Sequence, residues 1–372
     1  MFRIRRLWLR TFRNYALADL ALAEGVTVFV GPNGQGKSNL LEAAYMVSTG
    51  RSHRTGQEAE VIQRGATAAR VRAAIARRGR EEELEVTVAL EDGRGSVRMR
   101  LNGAPSARGA VLGRLPVVLA APWDLELVRG GGAGRRRLMD AALAQLSPAY
   151  FFALHRYHRV VIQRNAVLRG RVGPRATGLE PWDAQLVALG VRITAHRAAY
   201  VERLRGPAAD WFGRLGGAGT LEARYRPSWT GQGDETLAAA GRAQLAQRRA
   251  DELRRGLTLV GPHRDDLELL LDGVPLRATG SQGQWRTAML AMRLAERDVM
   301  AADLGARPVL LLDDALAELD PERQRRVLDV DGEGQVLATA TALPEAATSA
   351  RVIAVRAGTL EEAAWSPRSA TS

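Results

Sequence analysis

The sequence predicts an α/β protein in which a domain built from both ends of the chain carries a largely helical domain inserted between them. Three observations predict it. An apolar run, Val26 to Val30, stops at a glycine-rich loop that opens a helix. A second apolar run, Val309 to Leu312, stops at two adjacent carboxylates, Asp313 and Asp314. Between them, from about Pro122 onward, the texture turns helical. The expected divisions are residues 1–121 and 257–365 for the two-part domain, 122–256 for the insertion and 366–372 for a loose tail.

Phe2 to Phe12 has strand content, with Ile4, Leu7, Leu9 and Phe12 apolar. Lys37 to Val47 reads as a helix with Leu40, Leu41, Ala44 and Val47 on one side. Leu84, Val86, Val88 and Leu90 alternate strictly, and Val97 to Leu101 runs into Asn102-Gly103, a hairpin turn. Together these predict an antiparallel β subdomain. Arg135 to Leu146, Pro148 to Val167, Pro181 to Arg205 and Leu237 to Arg255 are expected helices. Pro148 and Pro181 fit the first helical turn, where a missing N–H costs nothing. Leu257 to Val260 and Leu267 to Leu271 are expected strands, the second closed by Asp272-Gly273. Ser281 to Asp303 and Pro321 to Leu328 read as helices, Gln335 to Ala338 and Val352 to Val355 as strands.

A chain of 372 residues has room for one large or two ordinary domains with real cores. Its 46% hydrophobic and 25% charged content excludes wholesale disorder. No stretch of 18 apolar residues is available to span a membrane, and Met1 to Arg13 lacks an apolar signal core. The absence of cysteine excludes disulfides and thiolate metal sites, and fits the cytosol. The formal charge of +12 points to a phosphate polyanion, although drift toward arginine also raises it. Lys37 is the only lysine. A compact ammonium on a flexible stem does what the rigid guanidinium fork cannot, so position 37 is where the chemistry needs a point charge.

Gly31-Pro32-Asn33-Gly34-Gln35-Gly36-Lys37-Ser38 matches the Walker A pattern in the right setting, strand before and helix after, with Asn39 following in the first turn. Glycines let backbone N–H groups converge on an anion, and the helix adds its positive end. Lys37 is then expected to reach the β- and γ-phosphates of ATP, and the Ser38 hydroxyl to bind Mg²⁺. Asp313 and Asp314 take the Walker B position: Asp313 on the metal through water, Asp314 orienting or deprotonating the attacking water. Lys37 and Asp314 are the candidate catalytic pair. Ser281 to Gln284 precedes a helix carrying Leu290 and Leu294. It reads as a capping box, and the same helix end suits a phosphate.

These segments together resemble the ATP-binding-cassette heads of the SMC class. Finer details resemble the RecF family of bacterial recombination mediators: Leu9 to Tyr15, Arg51 to Thr55, Pro122 to Leu125, Arg135 to Asp140 and Gly261-Pro262-His263-Arg264-Asp265-Asp266. The resemblance implies a P-loop ATPase head with an inserted helical arm, dimerising with ATP sandwiched between subunits. Ser281, Gly283 and Gln284 would then face the partner's γ-phosphate, and Asp320 would lie in the D-loop Ala317-Glu318-Leu319-Asp320. Arg13 and Asn14 would lie close to the nucleotide, and Gln63 would be the Q-loop glutamine on the metal. Double-stranded or gapped DNA is the implied ligand, with RecR and RecO as partners in loading RecA and slow hydrolysis as the reset. Three positions depart from the family pattern: Ala317 for a serine, Trp285 for a glutamine, and no histidine in Ala338 to Thr341, where Thr341 could stand in.

The insertion is too short for a long coiled coil, and no heptad run persists along it. A compact clamp is expected rather than an extended tether. The alternative is the ATPase subunit of a DNA-processing nuclease or another SMC-like complex. A transport ATPase would need a membrane partner and no such positive charge.

Overall fold

The computed structural model describes residues 1–170, 178–317, 319–328 and 334–362. The expected tail, 366–372, and Glu318 lie outside the described residues. Strands β1 (Phe2–Phe12), β2 (Tyr15–Ala21) and β3 (Val26–Val30) lead into helix α1 (Lys37–Thr49). Then come β4 (Ala68–Arg77), β5 (Arg80–Glu91), β6 (Arg94–Leu101), β7 (Ala104–Ser106), α2 (Arg108–Val111) and β8 (Val117–Ala120). The middle of the chain forms α3 (Leu125–Arg129), α4 (Gly132–Leu146), α5 (Pro148–Leu168), α6 (Glu180–Arg214), β9 (Leu221–Arg226) and α7 (Asp234–Arg255). It continues through β10 (Asp266–Leu271), β11 (Val274–Pro275), α8 (Leu276–Thr279) and α9 (Gln282–Leu304). The last part holds β12 (Val309–Leu312), α10 (Pro321–Leu328), β13 (Val336–Ala340), β14 (Arg351–Arg356) and β15 (Thr359–Glu362).

Two compact units result. The first comprises Met1–Asp124, Arg214–Gly216 and Glu296–Ser372, the second Leu125–Gly213 and Gly217–Ala295. The second unit therefore takes in residues 257–295, which the sequence reading assigns to the two-part domain.

The first unit holds two six-stranded sheets. One has the order β15-β14-β3-β13-β12-β8, with every pair parallel except β14–β15. Its inner strands are buried on both faces, so they read as unbroken apolar runs such as Val309 to Leu312. The other, β2-β1-β4-β5-β6-β7, is antiparallel and buries one face, so Leu84, Val86 and Val88 alternate with polar residues. The two faces share one hydrophobic core with α1, in which Leu40, Leu41, Ala44 and Val47 are buried as the pattern requires.

β1 breaks alternation in an instructive way. Phe2, Ile4, Leu7, Leu9 and Phe12 are all buried, although strict alternation would turn Leu7 away from Ile4. The pairing with β4 shifts register between Ile4 and Arg6, and this bulge resets the parity. Thr11, at φ 48°, marks a second reset before Phe12. Buried Gln335 clamps the bulged strand: its Oε1 accepts from the Ile4 N–H at 2.7 Å, and its Nε2 donates to the Ile4 carbonyl at 2.8 Å.

The second unit is mainly helical but also contains a three-stranded antiparallel sheet, β11-β10-β9, whose strand β9 was not legible in the sequence. The expected strand Leu257 to Val260 is absent; the segment is a loop. Its backbone is satisfied by side chains instead of a neighbouring strand. The Thr258 N–H donates to Asn165 Oδ1 at 2.7 Å, and the Leu259 N–H to Glu252 Oε1 at 2.8 Å. The expected turns at Asn102-Gly103 and Asp272-Gly273 are present, with all four residues at positive φ.

Candidate nucleotide site

β3 delivers the chain to the glycine-rich loop, and α1 begins at Lys37. Gly36 caps that helix at φ 110°, where a Cβ would also sit 2.5 Å from the Asn14 amide nitrogen. A Cβ on Gly31 would lie 2.3 Å from the Val355 carbonyl oxygen. Only glycine fits at either position. Pro32, Asn33 and Gly34 are exposed, so the loop presents its backbone outward. The Asn14 side chain donates to the Gln35 carbonyl at 2.9 Å, and the Tyr15 hydroxyl to that of Gly36 at 3.0 Å. Gln35 Oε1 accepts from the Ala357 N–H at 2.7 Å. Lys37 is 4% exposed, and its ammonium donates to the carbonyls of Gly31 at 2.7 Å and Pro32 at 2.9 Å. It thus closes a ring across the loop mouth.

β13 pairs in parallel with β3 on one side and β12 on the other, so both loop and aspartates leave the sheet at the same edge. The Ser38 hydroxyl donates to Asp313 Oδ1 at 2.7 Å, across 275 positions of sequence. Thr339 Oγ1 donates to the same oxygen at 2.8 Å and accepts the Asp314 N–H at 2.8 Å. The Asp313 N–H is held by the Ala120 carbonyl at 2.9 Å. Burial pushes the Asp313 carboxyl pKa up and neighbouring Asp314 adds to it, against the hydrogen bonds from Ser38 and Thr339. A buried carboxylate short of positive charge is what a cation would stabilise.

The rim of the site is a chain of hydrogen bonds. Asn39 donates to Asn14 Oδ1 at 2.8 Å and accepts from Arg54 at 2.6 Å. Arg13, at φ 52°, forks onto the fully buried Glu42 at 2.6 and 2.9 Å and reaches the Glu60 carbonyl at 2.8 Å. Burial alone would raise the Glu42 pKa; Arg13, Ser52 and Arg54 outweigh it, and the carboxylate is held below its ordinary value.

Gln63 and Asp320, in the same unit, join this network through no side-chain hydrogen bond among the described residues. The Gln63 backbone N–H pairs with the Thr11 carbonyl at 2.9 Å, and no side-chain hydrogen bond joins Gln63 to Ser38 or Asp313. Asp320 caps α10, accepting from the Arg323 N–H at 2.9 Å. In the second unit, Gln284 Oε1 accepts the Ser281 N–H at 2.8 Å and Ser281 Oγ the Gln284 N–H at 3.2 Å, the reciprocal capping box. Ser281 and Gly283 are exposed. Trp285 turns inward: its indole donates to the Leu276 carbonyl at 2.9 Å, and the Arg129 guanidinium lies 4.6 Å from its ring.

The family model for the RecF/RecN/SMC N terminal domain matches residues 3–356. The DNA replication and repair protein RecF of Synechocystis sp. is 40% identical over 377 residues, covering 96% of this chain and 98% of its own. The chain belongs to the RecF family. That of Thermosynechococcus vestitus is 42% identical over 369 residues, 96% of each chain. Among solved structures, the recombination mediator protein RecF-ATP in the RecFOR pathway aligns with a TM-score of 0.89 at 29% identity, over 98% of both chains. An Smc head domain from Pyrococcus furiosus aligns with a TM-score of 0.57 at 19% identity over 97% of this chain and 96% of its own, a likeness of fold. The ABC-type head expected from the sequence is therefore the fold of this RecF-family chain.

Two residues of the site escaped the sequence reading. The threonine touching both aspartates is Thr339, whose Oγ1 also lies 3.4 Å from Asp314 Oδ1, whereas Thr341 is exposed beyond β13. Alternation could not choose between them, because positions 339 and 341 share a strand face; the end of β13 at Ala340 decides it. Glu42 was the other. A lone carboxylate inside an apolar helix face, four positions after Ser38, signals a buried arginine partner.

Proposed function

We propose that this chain is an ATP-dependent DNA-binding protein of recombinational repair, closing as a homodimer on ATP and reset by slow hydrolysis. The observation that carries the reading is the 2.7 Å contact between Ser38 Oγ and Asp313 Oδ1 beside the Lys37 ammonium. Anion cradle, point charge and metal-ligating oxygens converge on one sheet edge. Its relatives are DNA replication and repair proteins, and a related structure holds ATP.

In this reading Gly31 to Ser38 cradle the phosphates, and Lys37 exchanges its two loop carbonyls for β- and γ-phosphate oxygens. Asn39, Arg13 and Asn14 line the rim, where Glu42 fixes the Arg13 fork. Ser38 and Asp313 hold Mg²⁺, with Gln63 as a further ligand; the ion supplies charge neutralisation at the phosphates. Asp314, whose backbone N–H is fixed by Thr339, orients the attacking water. Ser281, Gly283, Gln284 and Asp320 of a second copy cover the γ-phosphate. DNA contact is mainly through arginine to phosphate, on duplex or gapped DNA, in the cytoplasm and together with RecR and RecO.

The test is sedimentation of wild type, Ser281→Arg and Asp314→Asn, each with ATP and with ADP. Wild type should dimerise with ATP alone, Ser281→Arg should stay monomeric while still binding ATP, and Asp314→Asn should stay dimeric. A wild type monomeric at saturating ATP, or a Ser281→Arg variant that dimerises normally, overturns the reading.

A further inference from the structure

α5 carries two rows of residues with alternating spacings of three and four. Tyr150, Ala153, Tyr157, Val160, Arg164 and Val167 form the buried row, which packs into the second unit. On the opposite side run Phe152, His155, Arg159, Ile162 and Ala166. Phe152 is 52% and Ile162 64% exposed, and Ala166 is half-buried. This second row has the spacing a helix offers to another helix in knobs-into-holes packing. It extends roughly 21 Å, about four turns.

The charge that α5 itself brings to this face has one sign. Pro148 to Leu168 contains no aspartate or glutamate. Exposed Arg156 flanks the row, and neither Arg156 nor Arg159 makes an ion pair among the described residues.

We propose that the exposed row of α5 is a docking surface for an acidic amphipathic helix of a partner protein. Apolar residues of that helix would cover Phe152 and Ile162, and its carboxylates would face Arg156 and Arg159. Charge complementarity selects this occupant. A second copy of the chain would set arginine against arginine. A nucleic acid would satisfy the arginines and leave two large apolar side chains in water.

The chain has no cysteine, so Gln163→Cys, on the same exposed face, gives a single labelling position. The full chain carrying an environment-sensitive dye there is titrated with two designed helices of about four turns. Both have leucines along one seam; one is flanked by glutamates, the other by lysines. The glutamate helix should give a saturable change, and the lysine helix should bind at least about tenfold more weakly. Arg159→Glu, with unchanged circular dichroism and melting, should reverse that preference, and Ile162→Ser should weaken the glutamate helix. Equal binding of the two helices, or an Arg159→Glu variant that behaves as wild type, overturns the proposal. So does a dye signal that duplex DNA produces and that displaces the peptide, or one that appears with protein concentration alone.

Discussion

The glycine-rich loop of the first unit and the Gly261–Asp266 segment of the second handle charge in opposite ways. Around the loop, Lys37 is held by two carbonyls of the loop itself, and Asp313 by two neutral hydroxyls. Neither has a full opposite charge in contact, so each retains a reason to bind one. Around Gly261–Asp266 both carboxylates, Asp265 and Asp266, are matched by arginines inside the unit. Arg197, 1% exposed, donates to Asp265 at 2.9 Å, to Asp140 at 2.8 Å and to the Pro262 carbonyl at 2.7 Å. Asp265 also accepts from the Tyr225 hydroxyl and from the Ser228 N–H at 2.7 Å. Arg135 forks onto Asp266 at 2.7 and 2.8 Å. His263 takes a Tyr157 hydroxyl bond at 2.7 Å on Nδ1, with Nε2 3.1 Å from the Thr258 carbonyl. A segment that carries the family resemblance is thus held by contacts within its own unit, and the difference lies in which charges are left for a ligand.

The largest expected effect is in the satisfied network. Arg197→Met strands the buried Asp265 carboxylate and the half-buried Asp140, and should cost about 3–5 kcal/mol of stability in urea unfolding of the full chain. Loss of ATP binding without loss of stability would move this segment to the functional side. Next is pH. Burial pulls the His263 imidazole down to about 4 from its ordinary 6.5. Above 6.5 it is neutral folded or unfolded, and its contribution is complete. Between 6.5 and 4 the unfolded chain takes a proton that the folded ring refuses, so stability falls as pH falls, by about 3 kcal/mol in all. His263→Gln should flatten that window, and an equally steep acid loss in the variant would refute the assignment.

Smaller effects are expected at the sites left for ligands. Lys37→Met should weaken ATP at least about tenfold, near 1.4 kcal/mol, with unfolding little changed. Affinity within threefold of wild type would refute the loop assignment. Lys37→Arg should keep more binding and lose hydrolysis, since a fork replaces a point charge. The smallest is Ser281→Ala, which should cost about 1 kcal/mol through the lost cap, and leave ATP binding by the monomer unchanged in calorimetry.

The sequence by itself determined the parts whose physics is local. The loop before Lys37, the capping box at Ser281 and the hairpins at Asn102 and Asp272 depend on neighbours in sequence, and all are read correctly. The unbroken runs at Val26 and Val309 read as buried strands because burial on both faces removes alternation, and the structure pairs them in parallel with β13. Tertiary structure decided the rest. Thr339 rather than Thr341 meets the aspartates because strand register sets which side chain reaches the β12 edge. Leu257 to Val260 has strand composition but lacks a strand partner, and Glu252 and Asn165 take its backbone N–H groups instead. The role of Gly261–Asp266 depends on Arg197, 68 positions before Asp265. Long-range pairs of this kind cannot be read from spacing, because a side chain's charge is legible in sequence while the partner that neutralises it is chosen by the fold.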